Sequence, residues 1–276
     1  MKKVLLALTA VLSAVLLLVG CGGDTKKSTE APKAQPEQKE IRVGVTAGPH
    51  EEVMEFVAKE AEKQGLKIKI VPFQDYVQPN MALEQKELEI NSYQHQPFLN
   101  NAVKERGLHL TSIGKTILLP MSIFSNKYKV LADIPEGATV AIPNDPTNGG
   151  RGLLLLQQAG LIKLKDGADS LVTVADIVDN PKKLNIRELE AAQIVHSLND
   201  VDFATVNTNY AVQAGLNPTT DALFVEAKES PYTNVIAVRD EDKDNPTYKK
   251  FVEVYQSEPV RQFVIEHFKG AIVPGF

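Results

Sequence analysis

"ATVAIPNDPTNGGRGLLLLQQAG", Ala138 to Gly160, carries the reading of the fold. "ATVAI" is a short β-rich run. Asp145 and Pro146 then have the character of a helix N-cap and first helical residue, and the leucine run ends at Gly160, a helix stop. A buried strand running through a tight turn into a helix is the unit of an α/β sheet. The helix start is nevertheless odd. Gly149 and Gly150 each cost an interior helix position roughly 1 kcal/mol relative to alanine. Arg151 places a cation near the positive end of the helix dipole, a penalty of roughly 0.3–1 kcal/mol if exposed. One reading is a surface arginine snorkelling along the leucines. The other is an anion site. Free N–H groups at a helix start and a nearby guanidinium suit a carboxylate, and glycines let a ligand approach the backbone.

Outward from this stretch the alternation continues. "IRVGV" (41–45), "LKIKIVPF" (66–73), "EINSYQ" (89–94), "LNIRELE", "VDFATVN" and "NVIAVR" have strand character. "PHEEVMEFVAKEAEKQG" has Val53, Phe56, Val57 and Ala61 at helical spacing. "NMALEQKEL" and "QPFLNNAVKERG" are further helices, and "NPTYKKFVEVYQSEPVRQFVIEHF" has the pattern of one long closing helix. These elements predict an α/β protein with largely parallel sheets, in which ligands sit beyond the strand C-termini.

The chain has 276 residues, 43% of them hydrophobic, and a formal net charge of −5. The length suits two modest domains, and an acidic balance argues against nucleic acid. Five histidines and one cysteine leave no metal-ligand spacing. The cysteine, Cys21, ends "MKKVLLALTAVLSAVLLLVGC": a basic start, an apolar run, then small residues. "LVGC" resembles the bacterial lipobox, in which the cysteine becomes the lipidated first residue; the alternative is a plain membrane anchor. Either places the body outside the cytoplasm. Residues 22–40 contain no large apolar side chain and have the composition of a tether.

Three clusters stand out as candidate sites. Arg151 is the first. The second is aromatic: Tyr76 in "QDYVQPN", and Tyr93, His95 and Phe98 in "NSYQHQPF". Tyr93 and His95 are two apart and share a side of a strand. Such rings serve as core or rim, or line a pocket for an apolar or thioether side chain. The third is Asn207 and Asn234, at the end of one strand and the start of another, which serve turn chemistry or orient a polar ligand.

With "VGVTAGPHEEV", "DYVQPN", "NSYQHQPFL", "VAIPNDPTNGGRGLLLLQ", "VNTNYA" and "KESPYTNVI" in view, the whole chain resembles the methionine-binding lipoproteins of ABC importers, the NlpA lipoprotein family. The resemblance implies an α/β, two-lobe, periplasmic-binding-protein-like (type II) fold with a ligand cleft and a double-crossover hinge. It implies a signal peptide at 1–20, a lipidated tether at 21–40, lobe 1 at 41–117 plus 225–276, and lobe 2 at 118–224. It implies that Arg151 pairs with the ligand carboxylate and that Asn207 and Asn234 hold its polar main chain. Tyr76, Tyr93, His95 and Phe98 then surround the side chain. The implied partners are L-methionine or a close relative, an ABC permease with its ATPase subunit, and a membrane held through the lipid on the extracytoplasmic face. No catalytic residue, cofactor or metal is expected. The resemblance also implies a larger residue at position 149 in many relatives. Gly149 is then expected to widen the site toward a methionine derivative or Met-containing dipeptide. Truncating Arg151 is expected to spare the fold. An exported hydrolase and a non-transport surface lipoprotein are the readings from other classes; no GxSxG or similar signature favours the first.

The lipobox reading yields one expected outcome. Cys21→Ala abolishes metabolic palmitate labelling and globomycin-sensitive processing, and unchanged labelling would refute it.

Overall fold

The computed structural model describes residues 40–227 and 230–276. Cys21 and the tether up to residue 39 lie outside the described residues.

The chain opens with β1 (Ile41–Thr46), α1 (Pro49–Lys63), β2 (Ile68–Phe73), α2 (Gln78–Glu84), β3 (Ile90–His95), α3 (Gln96–Arg106) and β4 (Leu110–Lys115). Local chemistry sets these boundaries. Gly48 takes φ 79° just before Pro49, and Val53, Met54, Val57 and Ala61 bury one face of α1. α3 is capped by the side chain of His95 and stops at Gly107 in the left-handed conformation. The middle of the chain forms β5 (Ile117–Leu118), β6 (Ser122–Phe124), β7 (Thr139–Pro143), α4 (Pro146–Gln158), β8 (Lys163–Leu164), β9 (Ile177–Asp179), β10 (Asn185–Leu189), α5 (Ala191–Ile194), β11 (Phe203–Val206), α6 (Thr208–Gln213) and β12 (Phe224–Val225). The chain closes with β13 (Asn234–Arg239), α7 (Pro246–Tyr255), α8 (Glu258–Phe268) and β14 (Val273–Pro274).

Two five-stranded sheets result, ordered β2-β1-β3-β13-β4 and β10-β7-β11-β6-β12. Each is covered on both faces. In the first, α1, α7 and α8 pack on one side and α2 and α3 on the other. In the second, α4 packs on one side and α5 and α6 on the other. The sheets are less parallel than expected. β13 runs antiparallel to β3 and β4, and β6 antiparallel to β11 and β12. The reason is the route of the chain. It leaves the first sheet after β4 and returns after β12. β6 and β13 are the strands on which it arrives, so each starts at the end where its neighbours finish. We keep 41–117 plus 225–276 and 118–224 as our proposal for the lobes; β12 straddles the second boundary.

The predicted long closing helix is two helices. Ser257 is extended at φ −74°, ψ 157°, between α7 and α8. Pro259 has no N–H to bond the Tyr255 carbonyl four residues back, and its ring would clash with that carbonyl, so α7 cannot run through it and a new helix starts here.

The glycines of α4 are explained by packing. A Cβ on Gly149 would lie 2.7 Å from the Pro143 carbonyl oxygen, and one on Gly150 would lie 2.3 Å from that of Ser170. Both contacts are with backbone. Gly149 therefore seats the helix on the end of β7 and does not widen a ligand site, contrary to the expectation from sequence. Gly150→Ala is expected to destabilise the fold by about 1–3 kcal/mol, because backbone must move to admit the methyl group. The urea midpoint of the variant checks this.

Candidate ligand-binding site

The seven residues singled out from sequence line one cleft between the two sheets, with about 350 Å³ of empty space that is partly open to solvent. It lies beyond the C-terminal ends of β1, β3 and β11, where the strand-to-helix turns converge.

One side of the cleft is aromatic. Tyr76 lies 6.1 Å from Tyr93, 5.9 Å from Phe98 and 5.1 Å from Tyr210, centre to centre. Phe98 meets Tyr93 and His95 edge-on at 6.3 and 6.1 Å. The two phenols do not face water. Tyr93 donates to the Tyr76 carbonyl at 2.8 Å, and Tyr76 donates across the cleft to Asn209 Oδ1 at 2.5 Å. Burial holds both hydroxyls well above their ordinary pKa.

The polar side is built from the cap of α4. Asp145 accepts the Asn148 backbone N–H at 3.0 Å, and both its carboxylate oxygens accept from Asn148 Nδ2. That fixes the amide, because an ionised carboxylate only accepts. Asn148 Oδ1 faces the other way and accepts from Asn207 Nδ2 at 2.8 Å and His95 Nε2 at 3.2 Å. His95 therefore carries its proton on Nε2, while its Nδ1 accepts the Phe98 N–H at 3.1 Å. Asn207 caps no helix with its side chain, so turn chemistry does not explain it. Its Oδ1 is buried with no partner among the described residues, and so is Nδ2 of Asn209.

Arg151 is 4% exposed, which excludes the snorkelling reading. Its Nε and Nη2 donate to the Glu226 carboxylate at 3.0 and 2.5 Å, and Nη2 also donates to the Leu119 carbonyl at 2.9 Å. The guanidinium carbon lies 4.3 Å over the Tyr232 ring. Nη1 has no acceptor among the described residues. Asn234 donates both amide hydrogens, to the Tyr93 carbonyl at 3.0 Å and to His50 Nε2 at 2.8 Å. Its Oδ1 is left as an acceptor.

The groups that remain sort by sign. Arg151 Nη1 and Asn209 Nδ2 are donors; Asn207 Oδ1 and Asn234 Oδ1 are acceptors. Donors suit a carboxylate, acceptors suit an ammonium, and the rings suit an apolar chain. Each buried polar group left unpaired costs about 1–3 kcal/mol, so a ligand that pairs them gains that energy. Among the described residues no group of three or more His, Cys, Asp or Glu could hold a metal.

Residues 41–276 match the family model for the NlpA lipoprotein. This chain belongs to the NlpA lipoprotein family. It is similar to the D-methionine-binding lipoprotein MetQ of Escherichia coli K12, at 46% identity over 95% of this chain and 94% of that one. Among solved structures it is similar to a nutrient binding protein from Burkholderia cenocepacia bound to methionine. That likeness has a TM-score of 0.83 and 52% identity, over 86% of this chain and all of the other. The crystal structure of the methionine binding protein MetQ is similar at a TM-score of 0.83 and 47% identity, over 86% of this chain and 98% of that one.

In this NlpA lipoprotein, reading the sequence alone missed Glu226, His50, Asn148, Asn209 and Tyr232. Asn148 and Asn209 each sit within two or three residues of one that was singled out, so their motifs held a signal. Glu226 lies 75 residues from Arg151 and has no local signature. Its presence corrects a further expectation. Arg151 is part of a buried ion pair, and truncating it strands Glu226, a change that costs about 3–5 kcal/mol in such pairs.

The two cleft histidines make stability depend on pH. Burial draws His50 and His95 down to about 3, with Arg151 adding to the effect on His95. The unfolded chain takes up their protons below about pH 6.5, whereas the folded chain does not until about 3. Stability is therefore complete above pH 6.5 and falls as pH drops through that window, by at most about 1.4 kcal/mol per unit for each histidine. Exposed His109, raised by Glu84, acts in the opposite sense but is screened by solvent. Urea midpoints between pH 7.5 and 5.5 are expected to fall for the parent and to fall about half as steeply for His95→Gln, which leaves His50 in place. A flat parent profile would contradict neutral burial.

Proposed function

We propose that this chain is an extracytoplasmic solute-binding lipoprotein that captures methionine and delivers it to an ABC permease and its ATPase subunit. It is held to the membrane through lipid on Cys21. It binds and performs no chemistry. One observation carries the reading: the unpaired donors and acceptors of the cleft match a free amino-acid zwitterion, and they adjoin a ring cluster suited to a thioether. The similar proteins described as methionine-binding point the same way.

Ligand recognition follows from the geometry. Methionine offers an unbranched, polarisable chain to Tyr76, Tyr93 and Phe98, and norleucine offers the same shape without sulfur. Leucine branches too early. Glutamine would bury an underpaired amide, at about 1–3 kcal/mol. The dipeptide reading rests on Gly149, which faces the Pro143 carbonyl, and no other observation favours it.

Protein stripped of co-purified ligand by partial unfolding and dialysis is the material for the test. A thermal-shift panel is expected to rank methionine first and norleucine second, with leucine and glutamine near zero. Ligand at a hundredfold excess over its dissociation constant adds about 2.7 kcal/mol of stability. Arg151→Ala is best combined with Glu226→Gln, which avoids a stranded charge. Calorimetry on the pair is expected to show methionine binding about 30-fold to several thousand-fold weaker. Parental affinity in the double variant would remove Arg151 from the site.

A further inference from the structure

We propose that His50 is a positioning residue that makes the lobe-1 half of the cleft select for a hydrogen-bond donor on the ligand, by locking the Asn234 amide with its oxygen toward the cleft. The inference rests on the amino-acid-binding reading and goes beyond it: His50 lines the same cleft, and it acts on the ligand through the asparagine amide that it holds.

His50 is the second residue of α1. The turn at Gly48, with φ 79°, folds it back over Thr46, the last residue of β1. Its Nδ1 lies 2.7 Å from Thr46 Oγ1, and its Nε2 lies 2.8 Å from Asn234 Nδ2. All three residues are buried: Thr46 at 0%, His50 at 5% and Asn234 at 6% exposure. The protons along this chain are determined. Asn234 Nδ2 has two hydrogens and two acceptors, the Tyr93 carbonyl and His50 Nε2. An Nε2 that accepts must be unprotonated, so the imidazole proton sits on Nδ1 and is donated to Thr46 Oγ1. A neutral ring is what burial favours here. The outcome is one-sided. With both hydrogens engaged, Asn234 presents only its oxygen to the cleft, and only a group that donates can meet it. An α-ammonium does so with charge assistance.

A residue that merely supports packing would weaken every ligand alike. A residue that fixes donor and acceptor roles would weaken some ligands more than others. The experiment compares His50→Leu, which removes the acceptor, with His50→Gln, whose side-chain oxygen can take the place of Nε2. Two probes are titrated by calorimetry: methionine, and 2-hydroxy-4-(methylthio)butanoate, whose hydroxyl can donate or accept. His50→Leu is expected to weaken methionine about tenfold or more, the loss of roughly one charge-assisted hydrogen bond. It should weaken the hydroxy analogue under about threefold, and His50→Gln should keep methionine within about threefold of the parent. Ligand-free melting confirms that each variant folds. Should His50→Leu fail to fold, Thr46→Val withdraws the acceptor that holds the Nδ1 proton, and it is expected to show the same preference against methionine. Equal weakening of both probes would overturn the proposal. So would a glutamine variant as weak as the leucine one on methionine alone. A parent protein that bound no methionine would overturn the functional reading itself, an outcome distinct from either.

Discussion

A guanidinium buried to 4% exposure cannot stand alone, and the way Arg151 is compensated organises the cleft. Its counter-ion, Glu226, lies on the segment by which the chain returns to the first sheet. Its carbonyl acceptor, Leu119, lies on the segment by which the chain leaves it. Glu226 in turn accepts the backbone N–H of Met121 on that outgoing segment at 3.2 Å. One ion pair thus ties the start of α4 to both crossings. It commits Nε and Nη2 to structure and leaves Nη1. Because Glu226 already balances Arg151, a ligand carboxylate would arrive beside a neutralised pair. The ligand must bring its own positive charge close by, and a zwitterion does.

The same economy applies to the rest of the polar wall. Asp145 is written into the sequence as a helix cap, and the cap has a second effect through Asn148. By accepting from that amide nitrogen with both carboxylate oxygens it turns Oδ1 toward Asn207 and His95, and so sets the tautomer of a histidine from the other sheet. The glycines serve the same placement from below. With no Cβ on Gly149 or Gly150, α4 lies directly against the end of β7 and the Ser170 carbonyl. Arg151 is thereby held deep enough to reach Glu226. What reads as a poor helix start is a helix start chosen for depth.

Much of this is legible in the order of the residues. The strand–turn–helix punctuation places nearly every major element, since caps, glycine stops and apolar spacing are local properties. Arg151 stands out for a local reason too, as a cation where the helix dipole disfavours one. The remainder depends on contacts between distant segments. Glu226 reaches Arg151 only once the second crossing is folded. The purpose of Gly150 is a carbonyl in a loop beyond the helix. The orientation of each asparagine is settled by its partners, and residue identity alone does not reveal it. The break at Ser257 is readable from Pro259, but the apolar spacing runs through it and favours one helix. The reversed strands β6 and β13 follow from the route between sheets, which strand propensity does not encode.

Binding and closure are linked through where the unpaired groups sit. Asn234 belongs to the first sheet; Asn207, Asn209 and Arg151 belong to the second sheet and its helices. In the described conformation the two sides also meet directly. Tyr76 bonds Asn209, His95 bonds Asn148, the Tyr210 hydroxyl reaches the Gln74 carbonyl at 3.3 Å, and Gln213 bonds the Ala47 carbonyl. These bonds are few and polar. Each is worth about 0.5–1.5 kcal/mol net, and water can replace it when the sides part. They therefore bias closure modestly. A ligand shifts such an equilibrium only by its difference in affinity for the two states. An amino acid that gives its ammonium to Asn234 on one side and its carboxylate to Arg151 on the other makes both contacts only when the sides are together. Moving a two-state balance from 1:99 to 99:1 needs about 5.5 kcal/mol of such difference. A few charge-assisted bonds spanning the cleft are of that size, whereas contacts to one side alone would bind tightly and close nothing.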